Sequence, residues 1–458
     1  MKFKKLFLGA FSTAIVAAPM ALSVSCNDTK KEAKSFDKLS FDEQKTAVQT
    51  AYANLSADQK MDFVKSLDMK KTLSDDQVAK LISVLNKDAA MIGGIIWYIK
   101  SVESYIAKDA AYAAAKIAFE NLKKRADTDN MDYSQNFNTA QKVVNPASGK
   151  SIPVIFMDID ETVLQNDITE SYAMLHGGFN MADKEREDVK GLRFALPGVV
   201  EFINYVQENG ALVAYNSDMS QSTLVRDKVA ENLKKAGVKF VQNYQFWMRG
   251  SMPYLATNEN EITNELTANM SKDELKTLAG KTKFTENFSA KPWRTWDNIA
   301  AAETLGKLVY KTDRMNGLDA NTEGWNLGAE QAGSGDKVVM KTTMRIGDNY
   351  NDFFDRQSKK LTNDEKVKTY LDEDGLRKLF MPEGGDGLKY DTKTKKFVKL
   401  GYHQAYIMVP GNAEYGGWTD EYGYGNYYDL WKALQAIQEN PKYAQGPSAD
   451  ANGGALRP

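Results

Sequence analysis

Two aspartates stand two residues apart at the end of an apolar run, in Ile152-Pro-Val-Ile-Phe-Met-Asp158-Ile-Asp160-Glu-Thr162. In an extended backbone, side chains two apart project to one side, so both carboxylates leave the run together. They repel each other unless a cation or a shared proton is present. Together they offer a nucleophile, a proton donor and half of a metal site. The run before them, apolar and β-branched, reads as a buried strand of a parallel sheet. The carboxyl ends of such strands are where open α/β sheets bind ligands.

A second acidic pair lies downstream, in Thr342-Thr-Met-Arg-Ile-Gly347-Asp348-Asn-Tyr-Asn-Asp352-Phe. It also follows a short apolar strand pattern. Gly347 permits a tight exit or close backbone approach. Asp348 and Asp352 are hard oxygen donors of the kind Mg²⁺ prefers.

Between the two pairs the pattern alternates. Pro197-Gly198 opens a periodic helix over Val199–Gln207, Gly210 ends it, and Ala211–Tyr215 is a second short strand followed at once by Asn216-Ser217-Asp218. A helix over Leu224–Ala236 stops at Gly237, and Val238–Val241 reads as another short strand. This is the strand–helix–strand unit of a doubly wound sheet.

Asp158-x-Asp160-x-Thr162 and Gly347-Asp348-x-x-x-Asp352 resemble the first and fourth motifs of the haloacid dehalogenase-like phosphatases. Gly-Asp-Asn-x-x-Asp-Phe is close to the form found in the lipoprotein e family of acid phosphatases and 5′-nucleotidases. Three further segments resemble that family. They are Ile95-Ile-Trp97-Tyr-Ile-Lys-Ser-Val-Glu103-Ser-Tyr105, Ser289-Ala-Lys291-Pro-Trp-Arg294, and Tyr406–Trp418, which carries an extra Gly411. The resemblance covers roughly residues 90–435.

The resemblance implies an α/β fold: a Rossmann-like parallel sheet with a smaller, mostly helical domain. It implies hydrolysis of phosphomonoesters, nucleoside monophosphates in particular, at the cell surface. Asp158 would attack phosphorus, and Asp160 would protonate the leaving oxygen and later deprotonate water. Asp158, the backbone carbonyl of Asp160, Asp348 and Asp352 would hold Mg²⁺. Lys291 would be the third-motif cation, with Thr162, Asn216, Ser217 and Arg294 placing phosphate. The family has Ser or Thr where this chain has Asn216, which leaves open whether Asn216 or Ser217 serves. The rival reading is a catalytically weakened surface lipoprotein that binds a ligand or host partner. On the residues alone, Ser289–Arg294 is equally an ordinary basic loop.

The 458 residues, 42% hydrophobic and 26% charged, suit a soluble globular chain of two or three domains or subdomains. A net charge of −2 gives no sign of a nucleic-acid partner. With only His176 and His403, a histidine-rich metal site or a histidine triad is hard to build, and Cys26 alone excludes an internal disulfide.

Lys2, Lys4 and Lys5 precede the apolar Leu6–Leu22, and Cys26 closes a segment like a lipoprotein signal over residues 1–25. A diacylated Cys26 would anchor the chain to the extracytoplasmic face of the cell membrane. Residues 26–35 read as a tether and 36–145 as a helical region. Its three Leu-Ser starts, at Leu39, Leu55 and Leu73, have capping-box spacing. Residues 146–435 read as the phosphatase core, with cap inserts at about 242–290 and 306–340, the latter taken as a surface loop; 436–458 read as a tail. Gly333-Ser-Gly-Asp-Lys337 lacks the spacing of a phosphate-binding loop. A homodimer is left open.

Overall fold

A computed structural model describes residues 89–439, apart from 141, 147–148, 176–178, 258–261, 328–336, 373–374, 413–416, 424–429, 431–432, 435 and 438. The signal segment, Cys26, the tether, the capping-box helices before residue 89, His176 and the end of the tail lie outside the described residues. The chain divides into two compact units, residues 1–93, 171–179 and 422–458 in one and 94–170 and 180–421 in the other. The second unit carries the sheet and every motif discussed below.

In chain order the elements are α1 (Ala89–Lys100), α2 (Val102–Lys123), β1 (Ile152–Met157), α3 (Asp167–Leu175), α4 (Met181–Asp188), α5 (Val199–Glu208), β2 (Leu212–Tyr215) and α6 (Thr223–Ala236). Then come β3 (Tyr254–Ala256), α7 (Asn264–Thr267), α8 (Lys272–Lys281), β4 (Phe284–Phe288), α9 (Ile299–Gly306), α10 (Lys311–Ala320), β5 (Trp325–Asn326) and β6 (Lys337–Val338). The chain continues with β7 (Met340–Gly347), α11 (Asn351–Ser358), α12 (Asn363–Asp372), α13 (Leu376–Leu379), β8 (Gly385–Asp391), β9 (Lys396–Met408) and α14 (Gly417–Tyr422).

The central sheet has the order β2-β1-β7-β9-β8. β1 pairs parallel with β2 and β7, and β7 parallel with β9; only β8 runs antiparallel, as the hairpin partner of β9. All six residues of β1 are buried. Their alternation divides them between two faces, as a pleat requires. Ile155 and Met157 pack with Phe119 of α2, Phe202 of α5 and Val225 of α6. Ile152, Val154 and Phe156 pack with Trp247, Trp293, Trp325 and Leu318. A sheet covered on both faces reads as a continuous apolar run, which is why β1 shows no polar alternation.

Local chemistry sets several boundaries. The Ser222 side chain accepts from the Val225 N–H and starts α6, and Gly237 ends it at φ 106°. Ser271 and Glu274 form a reciprocal capping box at α8, as their spacing predicts.

Two expectations need correction. Val238–Val241 is not a strand; the chain makes a 3₁₀ turn at Asn243–Gln245 and a single bridge from Phe246 to Tyr215. Residues 306–340 are not a surface loop throughout. They hold α10, and Met315, Leu318 and Trp325 in this stretch are each 1% exposed. Polar residues that are themselves buried, Lys311, Thr312, Arg314 and Asp319, interrupt the apolar pattern of α10, so the sequence does not show its burial. The other insert contains the two-stranded β3–β4 ribbon with α7 and α8.

Candidate active site

β1 ends at Met157, and the Asp158 N–H still donates to the Ile346 carbonyl of β7 at 2.9 Å. That bond aligns the exits of the two neighbouring strands, so the first acidic pair and Asp348 leave the same sheet edge. One oxygen from each of Asp158, Asp348 and Asp352 lies within 4.8 Å of the others. Gly347 makes this approach feasible: a Cβ there would meet Asp352 Oδ2 at 2.3 Å. Gly411, the residue extra to the family pattern, does the same on the other side, where a Cβ would meet Asp348 Oδ2 at 2.5 Å. Next to it, Asn412 Nδ2 donates to Glu161 Oε1 at 3.3 Å. The segment after β9 therefore closes on both motifs.

Lys311, the first residue of α10, supplies the ammonium. Its Nζ lies 2.6 Å from Asp158 Oδ1 and 2.7 Å from Asp352 Oδ1. Burial alone would lower its pKa, but Asp158, Asp352 and Asp218 outweigh burial and hold it well above the usual lysine range. Asp355 of α11 fixes the start of α10 by accepting the Lys311 N–H at 2.8 Å, the Thr312 N–H at 3.0 Å and the Thr312 hydroxyl. These amides have no partner within their own helix, so a neighbouring carboxylate satisfies them. One turn on, Arg314 Nη1 donates to the Ser217 and Trp247 carbonyls at 2.8 and 2.9 Å, tying the loop after β2 to the same helix.

The carboxylates remain in excess. Burial pushes the Asp158 carboxyl up to about 7, with Lys311 opposing and Asp352 and Asp160 reinforcing. Burial also raises Asp348 well above the carboxylate range, reinforced by Asp352, Glu161 and Asp158. Three carboxylates around one ammonium, all donors oxygen, fit a hard divalent cation such as Mg²⁺. Thr162 Oγ1 donates to Asp348 Oδ1 at 3.3 Å, so the threonine of the first motif orients the fourth.

Asp160 has the opposite environment. Arg193 Nη1 stands 2.5 Å from its Oδ1 and Lys184 Nζ 3.1 Å from its Oδ2. Burial would raise this carboxyl, but Lys184 and Arg193 outweigh burial and hold it well below the usual range. Both cations are themselves held by Asp188 of α4. Glu161, between the two regions, is fully buried with φ 54° and accepts from Asn166 Nδ2 at 3.2 Å.

Asn216 and Ser217 follow β2 at the same edge and both are buried. Asn216 Nδ2 donates to the Lys311 carbonyl at 3.2 Å, and Ser217 Oγ accepts from the Met219 N–H at 3.0 Å. Lys311 occupies the position that the resemblance assigned to Lys291. Lys291 stands in the turn after β4, where its carbonyl accepts the Arg294 N–H at 3.1 Å. The Arg294 guanidinium lies over the Trp296 ring at 4.9 Å and against the Met252 sulfur at 4.0 Å. The physical reason is topological. A helix feeding a parallel strand begins at the carboxyl edge of the sheet, and the helix feeding β7 is α10, not the Ser289–Arg294 turn. That signal was available for Lys311. Lys184, Arg193 and Arg314 have none, because no strand or helix order read from the sequence places them beside Asp160 or Asp218.

Among solved structures, the class C acid phosphatase from Bacillus anthracis with tungstate bound matches with 14% identity and a TM-score of 0.41, covering 76% of this chain and 97% of that one. The class C acid phosphatase from Bacillus anthracis in a second structure matches with 14% identity and a TM-score of 0.40, covering 76% and 96%. No curated protein matches the sequence. The family described as HAD superfamily, subfamily IIIB (Acid phosphatase), matches residues 107–400, a span that includes α10 and both acidic pairs. The chain belongs to that family and is an acid phosphatase, a hydrolase of phosphomonoesters.

Proposed function

We propose that the chain hydrolyses phosphomonoesters, nucleoside monophosphates among them, through an aspartyl phosphate on Asp158, with Mg²⁺ held by Asp158, the Asp160 carbonyl, Asp348 and Asp352. The observation that carries this reading is the Lys311 ammonium between Asp158 and Asp352, within a carboxylate triad of 4.8 Å span. An Asp158 oxygen attacks phosphorus and the bond to the leaving oxygen breaks. Asp160 gives that oxygen its proton. Water then attacks the acyl phosphate, Asp160 takes the water's proton, and inorganic phosphate leaves with Asp158 regenerated.

Lys311 offsets the repulsion between the anionic nucleophile and a dianionic substrate. Mg²⁺, when bound, supplies further neutralisation of the carboxylates and the phosphoryl oxygens. Asn216 and Ser217, buried beside the start of α10, would place the phosphate, with Thr162 orienting Asp348. Lys184 and Arg193 hold the Asp160 carboxyl in one orientation and oppose its protonation, so the proton-donating form is reached only in acid. The lysine-rich start, the apolar Leu6–Leu22 and Cys26 support anchoring at the outer face of the membrane.

The test is phosphate release from a panel of nucleoside monophosphates and an aryl phosphate, with Mg²⁺ or with chelator. Release that needs the metal and ranks nucleotides above the aryl ester is expected. Equal release in excess chelator would sink the metal assignment, and aryl ester preferred to every nucleotide would sink the substrate assignment.

A further inference from the structure

Away from the carboxylate triad, four lysines face one concavity. A cleft of about 680 Å³ lies between the end of α11 and the turn of the β8–β9 hairpin, and Lys359, Lys360, Lys395 and Lys396 line it. Among the described residues, none of these four ammonium groups has an ion-pair partner, whereas nearby Lys399 pairs with Asp386 at 2.7 Å. The cleft's other cation, Arg356, is already held by Asp313, with its Nε 2.8 Å from Oδ2. Its one carboxylate, Asp355, is committed to the start of α10. Asp355 and Asp218 attract Lys359, so the positive charge that no lining carboxylate balances is that of Lys360, Lys395 and Lys396. Like charges gathered in a low-dielectric recess raise the local potential and favour an anion.

The walls are not merely basic. Tyr310 lies beneath the Arg356 guanidinium at 3.8 Å and the Lys359 ammonium at 5.2 Å. Tyr390 and Phe397 pack edge to face at 5.5 Å on the hairpin side. Gln357 lines the same cleft, and its Oε1 is buried with no hydrogen-bond donor among the described residues. Ammonium groups, aromatic faces and an open acceptor match a ligand with several phosphates, a flat ring and hydroxyl donors.

We propose that this cleft is a second ligand site, beside the carboxylate triad, for a small polyphosphorylated aromatic molecule of the nucleoside di- or triphosphate class. The concavity decides between anions. A flat anionic surface would reach only the protruding lysines, while a small polyanion can touch the lysines and the hairpin's aromatic wall at once. The proposal does not depend on turnover, so it stands or falls separately from the reaction proposed above.

The experiment measures binding of β,γ-methylene-ATP, whose terminal phosphoryl group cannot be hydrolysed, by equilibrium dialysis. The protein is the mature chain with Asp348→Asn and Asp352→Asn, which disables the metal-binding edge. A second sample adds Lys360→Ala, Lys395→Ala and Lys396→Ala. All three lysines are exposed, and an unchanged thermal midpoint verifies the fold. The expected result is nucleotide binding in the first sample and affinity weaker by about tenfold or more in the second. Equal affinity in both samples would overturn the proposal, as would absence of binding in the first. Lysine-dependent capture by phosphatidylglycerol vesicles without nucleotide binding would also overturn it, in favour of a membrane-facing patch.

Discussion

The two aspartates of the first motif are separated by one residue and by opposite electrostatics. Around Asp158 three carboxylates share one ammonium, and the Asp158 carboxyl is pushed up to about 7, chiefly by burial. Around Asp160 two cations face two carboxylates, Asp160 and Asp188, and the Asp160 carboxyl is held well below the usual range. Burial acts the same way on both; the neighbours differ. The first region has a deficit of positive charge that a divalent cation and a phosphate-binding lysine can share. The second is already neutralised by the protein, which holds a side chain in place but makes its proton hard to keep. One motif thus presents a nucleophile in a site with charge left to satisfy, and a proton donor in a site with none.

Several substitutions would break or sharpen that contrast. The largest effect is expected from Asp158→Asn, which removes the nucleophile and should lower kcat by about 10⁴-fold or more, read as phosphate release. Retained turnover would move the nucleophile elsewhere. Next is Lys311→Met, which leaves the triad with no ammonium; kcat should fall about 10²- to 10³-fold. Lys291→Met in the same assay should change it by less than about threefold, the scale of an ordinary surface charge. A reversal of those two results would restore Lys291 as the third-motif lysine.

Gly411→Ala probes the triad from the far side. Its Cβ would meet Asp348 Oδ2 at 2.5 Å, so Asp348 must shift. The apparent Mg²⁺ affinity should weaken by about tenfold, a displacement effect with the fold intact. Unchanged metal dependence would mean that the loop yields instead of the carboxylate. The smallest effect concerns pH. Lys184→Met removes one of the two cations that depress Asp160, so that carboxyl should rise. The limb of kcat/KM that reports loss of the Asp160 proton should then move to higher pH, by about one unit. A move to lower pH, or none, would remove Asp160 from that limb.

Much of this site is legible in the residues themselves. An apolar run ending in Asp158-x-Asp160 states both the strand and its buried depth, because a strand covered on both faces has no polar alternation to confuse the reading. Gly347 ahead of Asp348 is legible for a similar reason: only glycine lets Asp352 pack where a Cβ would stand. The capping box at Ser271 and the stop at Gly237 are local hydrogen-bonding and backbone facts that need no distant partner. Val238–Val241 misled because an apolar run of four states burial and not conformation.

What the amino-acid order determined by itself is the part of the chemistry confined to a few consecutive residues: the paired acids, the strands that end in them and the local caps. What only the tertiary structure decided is which cations meet those acids. Lys291 sits in a basic loop with family-like spacing, and Lys311 in a stretch that reads as surface. The sheet places the start of α10, not the Ser289–Arg294 turn, at its carboxyl edge. Lys184 and Arg193 reach Asp160 from an intervening helix and the loop after it. A charge is placed by the fold because its range is a few ångströms in space, whatever the separation along the chain.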